Sequence, residues 1–171
     1  MADKVEKSVG IVVLTEIPDM GLVAVLQERG RFNTGKMKPE SWPGGCQVTA
    51  HGKVRKGEKC VQALLREVGE ELGRTASQFI RNCINDLVVV SHFQETDKEV
   101  VTYAVKLEPS FLKRIRLGSD SGGLRYVQQE DINNTICLDS SNRTAGILYR
   151  PTIGMFPDEK EALIKAFACF S

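Results

Sequence analysis

The sequence has no surplus of either charge. Its 171 residues hold 23 Lys and Arg against 22 Asp and Glu, a formal net charge of +1. No bulk field therefore draws the chain to nucleic acid or to an anionic membrane. CxxC pairs are missing, and the five cysteines, Cys46, Cys60, Cys83, Cys137 and Cys169, are odd in number. That argues against a disulfide framework and against a cysteine zinc site. It points to a reducing, cytoplasmic setting and reads the cysteines as small buried hydrophobes. No apolar run approaches the roughly 20 residues that span a bilayer. The N-terminal stretch MADKVEKSVG lacks the apolar region of a signal peptide. Repeats, low-complexity tracts and linkers are absent too, so one domain over residues 1–171 is expected. The two histidines, His51 and His92, have no partner at metal-ligand spacing and receive no role.

What is present is a set of strands and helices in a telling order. Ser8 to Glu16 (SVGIVVLTE) and Leu22 to Glu28 (LVAVLQE) read as strands, joined by a turn at Pro18, Asp19 and Gly21. Gly30 to Pro39 is polar and reads as a loop, with Arg31, Lys36 and Lys38. Lys59 to Leu72 is helical: Val61, Leu64, Leu65, Val68 and Leu72 form one apolar stripe, and Gly73 suits the position just past the end. Asp86 to Gln94, Glu99 to Leu107 and Leu124 to Gln128 read as further strands. Pro157 to Cys169 reads as a closing helix. This order favours an α/β fold with a mixed sheet sandwiched between helices over a doubly wound parallel one.

The helix carries Glu67, Glu70 and Glu71 beside its apolar stripe. Like charges three and four residues apart destabilise an isolated helix by a few tenths of a kcal/mol per pair. A solvated acidic face offset by Arg66 and Arg74 is the plain reading. A binding site for a hard divalent cation is the functional one, because such ions take carboxylates together with substrate phosphates and water.

The flanking residues favour the second. Gly52-x5-Glu58-x7-Arg66-Glu67-Val68-x-Glu70-Glu71-x-Gly73 resembles the signature box of the Nudix hydrolases. Chance produces such a match at one place about once in 10⁸ tries. Two features depart from the family pattern. The last box position is usually aliphatic and here is Arg74. Trp42-Pro43-Gly44-Gly45 is separated from Gly52 by CQVTAH, which extends the loop or forms a strand pair turning at His51-Gly52.

The resemblance implies metal-dependent hydrolysis of a nucleoside diphosphate linked to another group X, with Mg²⁺ or Mn²⁺ as cofactor. Glu67, Glu70 and Glu71 would be the catalytic residues and metal ligands, while Gly52, Glu58 and Arg66 would support them structurally. A backbone carbonyl ligand would come from Gly44 or Gly45, or from around His51 and Gly52. The general base would be a box glutamate or a later carboxylate, for which Glu95, Asp97, Glu99 and Glu130 are the candidates. Arg29, Arg31, Lys36 and Lys38 could meet phosphate, and Trp42, Phe32 and Tyr126 could stack on a base, although solvated loop and apolar core are the plainer readings. No residue is assigned to substrate binding.

The implied partner is a nucleotide, not a nucleic acid polymer or a membrane, with a homodimer open because many relatives are dimers. Two alternatives stand beside hydrolysis: a nucleotide-binding sensor of the same fold, and an enzyme like isopentenyl-diphosphate isomerase, suggested by Trp42, Cys46 and His51. Oxidised nucleoside triphosphates, dinucleoside polyphosphates, ADP-ribose and NADH-like molecules all stand open as substrates.

Overall fold

The valine-rich run near the N-terminus becomes the middle of the sheet. A computed structural model describes residues 5–139 and 153–171; the first four residues of MADKVEKSVG lie outside it. Strand β1 (Glu6–Ile17) runs antiparallel to β2 (Gly21–Arg29), with Val13 opposite Val25 and Ile17 opposite Gly21. The connecting turn holds Asp19 at φ 67 and Gly21 at φ 75, backbone that these two residue types tolerate.

The expected loop after β2 contains a small hairpin, β3 (Phe32–Asn33) and β4 (Lys38–Pro39). Two-residue polar strands leave no periodic signal, which is why the stretch reads as loop. Next come β5 (Cys46–Gln47) and β6 (Ala50–Lys53). Further along lie β7 (Val88–Gln94), β8 (Lys98–Lys106) and β9 (Ser121–Gln128). Short β10 (Ile136–Cys137) and β11 (Gly154–Met155) pair with each other in parallel.

In the main sheet β9, β2, β1, β8 and β7 lie side by side. β1 and β8 are parallel and the other pairs in it are antiparallel, so the sheet is mixed. β1 and β2 part company after Val13 and Val25. Beyond the fork, Ser8–Ile11 of β1 pair with β6, while Gln27 and Glu28 of β2 pair with β5. The CQVTAH segment fills this fork. His51 and Gly52 lie within β6 instead of forming the turn expected there. Thr49, fully buried, sits in the crotch: its hydroxyl accepts from the Val13 N–H at 2.8 Å and donates to the Val25 carbonyl. Two main-chain groups that lose their strand partners at the fork are satisfied in this way.

Strand alternation then sorts the core into two layers. Val9, Ile11 and Val13 face helices α1 (Cys60–Leu72) and α2 (Arg74–Asn82), while Val12 and Leu14 face α3 (Pro157–Phe170). Helix α2 is the element missing from the sequence reading. Gly73, at φ 93, ends α1 and α2 begins at once. α2 is held by Ala76 and Ile80 in the core and by the Ser77 hydroxyl, which donates to the Leu65 carbonyl at 2.6 Å. No helix among the described residues is long and apolar enough to cross a membrane. The cysteines correct the reading of them as buried. Only Cys46 is; Cys60 and Cys83 are half-buried, and Cys137 and Cys169 are exposed, since a side chain so small is tolerated at the surface.

Candidate active site

Helix α1 sets the direction of its glutamates by what it buries. Gly57, at φ 81, makes the turn that leads into the helix. The Gln62 side-chain carbonyl accepts from the Lys59 N–H at 3.0 Å, half of a capping box. Ala63, Leu64, Leu65, Val68 and Leu72 are buried against the sheet and α2. Each large apolar side chain contributes about 1.5–3 kcal/mol, and together they fix the rotation of the helix. Glu67 and Glu71 are thereby turned toward β6, and Glu70 toward solvent.

Glu67 lies directly over Gly52. A Cβ on Gly52 would stand 1.9 Å from the Glu67 carboxyl carbon, so the glycine leaves the hollow that the carboxylate occupies. The Arg66 guanidinium then ties loop, strand and helix together. It donates to both Glu58 oxygens at 3.0 Å, to the Lys53 carbonyl at 2.7 Å and to Glu67 Oε1 at 2.5 Å. The bidentate pair with Arg66, helped by the Arg55 N–H, pulls Glu58 down to about 2. Glu58 in turn raises Arg66. Glu70 is half exposed at 51 % and takes contacts from Arg55 at 3.1 Å and Arg66 at 3.4 Å.

Glu71 is treated differently. Its Oε2 accepts from the His51 N–H at 3.1 Å, and its Oε1 accepts a long bond from Gln47 Nε2 at 3.4 Å. Burial pushes its carboxyl up to about 7; the Glu67 charge adds to this, and the His51 N–H, Gln47 and Arg29 oppose it. Of the two places considered for a backbone ligand, the His51–Gly52 backbone is the one that meets the carboxylates. The Gly45 carbonyl is instead taken by the Arg29 N–H at 2.8 Å.

Among the described residues no three His, Cys, Asp or Glu side chains converge as a ready-made ion cage. The structure brings Glu67 and Glu71 to one stretch of β6 and leaves Glu70 turned outward onto Arg55. The three carboxylates offer only oxygen and suit a hard cation; the main-chain group that meets them, the His51 N–H, is a hydrogen-bond donor to Glu71. The hollow reserved at Gly52 fits that use, because no side chain there intrudes on the donors.

A cleft of about 330 Å³ opens beside Glu70 and Glu71. Its walls include Gln27, Arg29, Asn33, Glu40, Gln47 and the loop from Gly118 to Ser121. Arg29 donates to Glu40 at 3.4 Å, and its guanidinium lies 5.7 Å from the Phe156 ring centre. Its buried Nε has no hydrogen-bond partner among the described residues. Sequence reasoning flagged Arg29 for its charge alone. It missed Gln47, Asn33 and Glu40, which belong to no motif and reach the cleft only through the fork and the hairpin. A second cavity of about 500 Å³ adjoins the first and contains Arg31 and Phe32.

The remaining candidates lie elsewhere. Glu95, Asp97, Glu99 and Glu130 do not line the cleft. Glu99 is taken by Lys7 at 2.8 Å and His92 at 3.0 Å. Lys36 and Lys38 are exposed on the hairpin and outside both cavities. Trp42 donates to the Asp139 carbonyl at 2.9 Å and meets Phe156 edge-on at 4.8 Å. Phe32 and Tyr126 are exposed, contrary to the core reading. Cys46 is fully buried in the layer beneath α3, and burial pushes its thiol up to about 11. Burial also pushes the His51 imidazole down to about 4.

Comparison with known proteins identifies the family and the fold. The sequence matches the NUDIX domain over residues 5–143. No curated protein registers as a sequence match. Among solved structures, a MutT/nudix family protein from Listeria innocua superposes with a TM-score of 0.64 at 18% identity, covering 97% of this chain and 94% of that one. A MutT/nudix family protein from Enterococcus faecalis gives the same score and identity, and this chain spans 63% of its length while being covered over 99% of its own. The C. elegans Ap4A hydrolase superposes with a TM-score of 0.53 at 17% identity, covering 97% of each chain. The fold is theirs, and with the family match over most of its length the chain belongs to the Nudix family.

Proposed function

We propose that the protein is a divalent-metal-dependent pyrophosphohydrolase that cleaves the diphosphate linkage of a nucleoside diphosphate bound to a group X. The observation that carries this reading is the pairing of Glu67 and Glu71 against the Gly52 stretch of β6, at the edge of a polar cleft. Glu67, Glu70 and Glu71 would hold Mg²⁺ or Mn²⁺. When bound, such an ion offsets phosphate charge and makes water more acidic.

The chain's own residues do the rest. Arg66 fixes Glu67 from one side while the missing Cβ of Gly52 leaves it room on the other. His51 and Gln47 orient the two oxygens of Glu71. Oriented in this way, the Glu71 oxygens are suited to take a proton from the attacking water. Arg29 offers a cation to the diphosphate across the cleft. The isomerase reading loses its thiol, because a buried neutral cysteine is inert.

The test is a panel of nucleoside diphosphate–X compounds with Mg²⁺ or Mn²⁺, following phosphate and pyrophosphate release, with Glu70→Gln and Glu71→Gln alongside. Hydrolysis of one class, lost in both variants, is expected. Tight nucleotide binding without turnover on any compound would overturn hydrolysis in favour of a sensor.

A further inference from the structure

The hairpin formed by β3 and β4 separates two spaces. Strand alternation directs consecutive residues to opposite sides. Asn33 accordingly lines the cleft beside Glu70 and Glu71, while Phe32 and Thr34 line the second cavity. The two spaces share Arg29, Ser119 and Ser121 at their border, so one extended ligand can occupy both.

Phe32 is 43 % exposed. Among the described residues no other aromatic ring stacks on it. The hairpin nevertheless holds it in place. Asn33 Nδ2 donates to Glu40 at 3.1 Å, and the Thr34 N–H donates to Asp120 at 2.9 Å. An aromatic face kept open at the wall of a polar cavity is a platform for a flat partner. Every nucleobase offers one, and stacking gains from covering apolar area on both sides. The space of about 500 Å³ admits a nucleoside.

We infer that the second cavity takes the nucleoside half of the substrate, with the base stacked on Phe32, while the diphosphate crosses Arg29 toward the glutamates. This rests on the proposed hydrolase reading and adds the residue that holds the base.

The test is calorimetric binding, in Mg²⁺, of the four nucleoside α,β-methylene diphosphates and of methylenediphosphonate, to the wild type, Phe32→Ala and Phe32→Trp. At least one nucleotide should bind the wild type more tightly than methylenediphosphonate. Phe32→Ala should cut that advantage about tenfold, Phe32→Trp should restore it, and methylenediphosphonate should bind all three equally. An advantage that survives in Phe32→Ala would overturn the inference and leave the hydrolase reading intact. So would an equal loss for both ligand types, which would make Phe32 a support of the hairpin. Failure of the wild type to bind either ligand type would overturn the hydrolase reading and the inference with it.

Discussion

On one wall of the cleft, helix α1 holds its carboxylates against β6, Glu67 and Glu70 through charged partners and Glu71 through the His51 N–H and Gln47. Arg66 alone reaches Glu58, Glu67, Glu70 and the Lys53 carbonyl. On the other wall, the hairpin meets the segment from Gly118 to Gly122, which leads into β9, through hydroxyl and main-chain hydrogen bonds. Thr34 binds Asp120 through both its N–H and its hydroxyl, and the Gly30 N–H donates to the Asp120 carbonyl at 2.9 Å. That wall also needs close backbone approach, since a Cβ on Gly30 would lie 2.5 Å from the Asp120 carbonyl oxygen. The charged wall is built to present oxygens at fixed positions. The second is built to shape a space. On the proposed reading, chemistry and selectivity are carried by separate elements, and a change in one should leave the other largely intact.

The strongest way to sharpen that contrast is to titrate the charged wall without metal. Burial holds Glu71 at about 7, above its ordinary 4.5. Its protonated form therefore favours the folded state fully below pH 4.5, and the contribution is lost as pH rises through 7. The size is up to about 3 kcal/mol. Measured by urea unfolding, the stability of the wild type relative to Glu71→Gln should fall between pH 5 and 7.5. Glu159, pushed up to about 7 by burial beneath the other face, and His51 titrate in both proteins and cancel in the difference. A flat difference would mean that Glu71 is not held away from water.

Next in size is Gly52→Ala. The three atoms nearest the added Cβ all belong to the movable end of Glu67, so the melting temperature should change little while Glu67 is displaced. A misplacement of about 1 Å in a catalytic group costs on the order of a hundredfold, and kcat should drop by about that amount. A large fall in melting temperature instead would place Gly52 in the fold and not in the site.

Smallest is Thr34→Val on the second wall. It removes the hydroxyl that grips Asp120 and Ser119 and keeps the main-chain bond. An exposed hydrogen bond of this kind contributes about 1 kcal/mol. KM should rise several-fold with kcat nearly unchanged. A matching loss in kcat would show that the two walls act as one.

The same contrast explains what could be read from the sequence. Glu67, Glu70, Glu71, Gly52, Glu58 and Arg66 stand at fixed spacings because one helix and one turn set their geometry, and β1, β2, α1 and α3 show their apolar patterns. Helix α2 was hidden because Gly73 reads as a terminus and RTASQFIRN offers few apolar positions. Its stability comes from α1, through Ser77 and Ile80. A strand pair was one reading of the β5–β6 wedge, but its partners were hidden because they lie on β1 and β2, eighteen or more residues away along the chain. Gln47 reaches the cleft only through that long-range pairing and Asn33 only through a two-residue polar hairpin strand, so no spacing could announce them; Phe32 stood out as an aromatic, but its place in the second cavity did not.

The central claim is that the α1 glutamates and the Gly52 stretch form a divalent-cation site. Mn²⁺ titration followed by electron paramagnetic resonance, on the wild type and Glu71→Gln at pH 7.5, tests it most directly. The account predicts saturable Mn²⁺ binding to the wild type that Glu71→Gln weakens by at least about tenfold. Equal binding by the two proteins would contradict it.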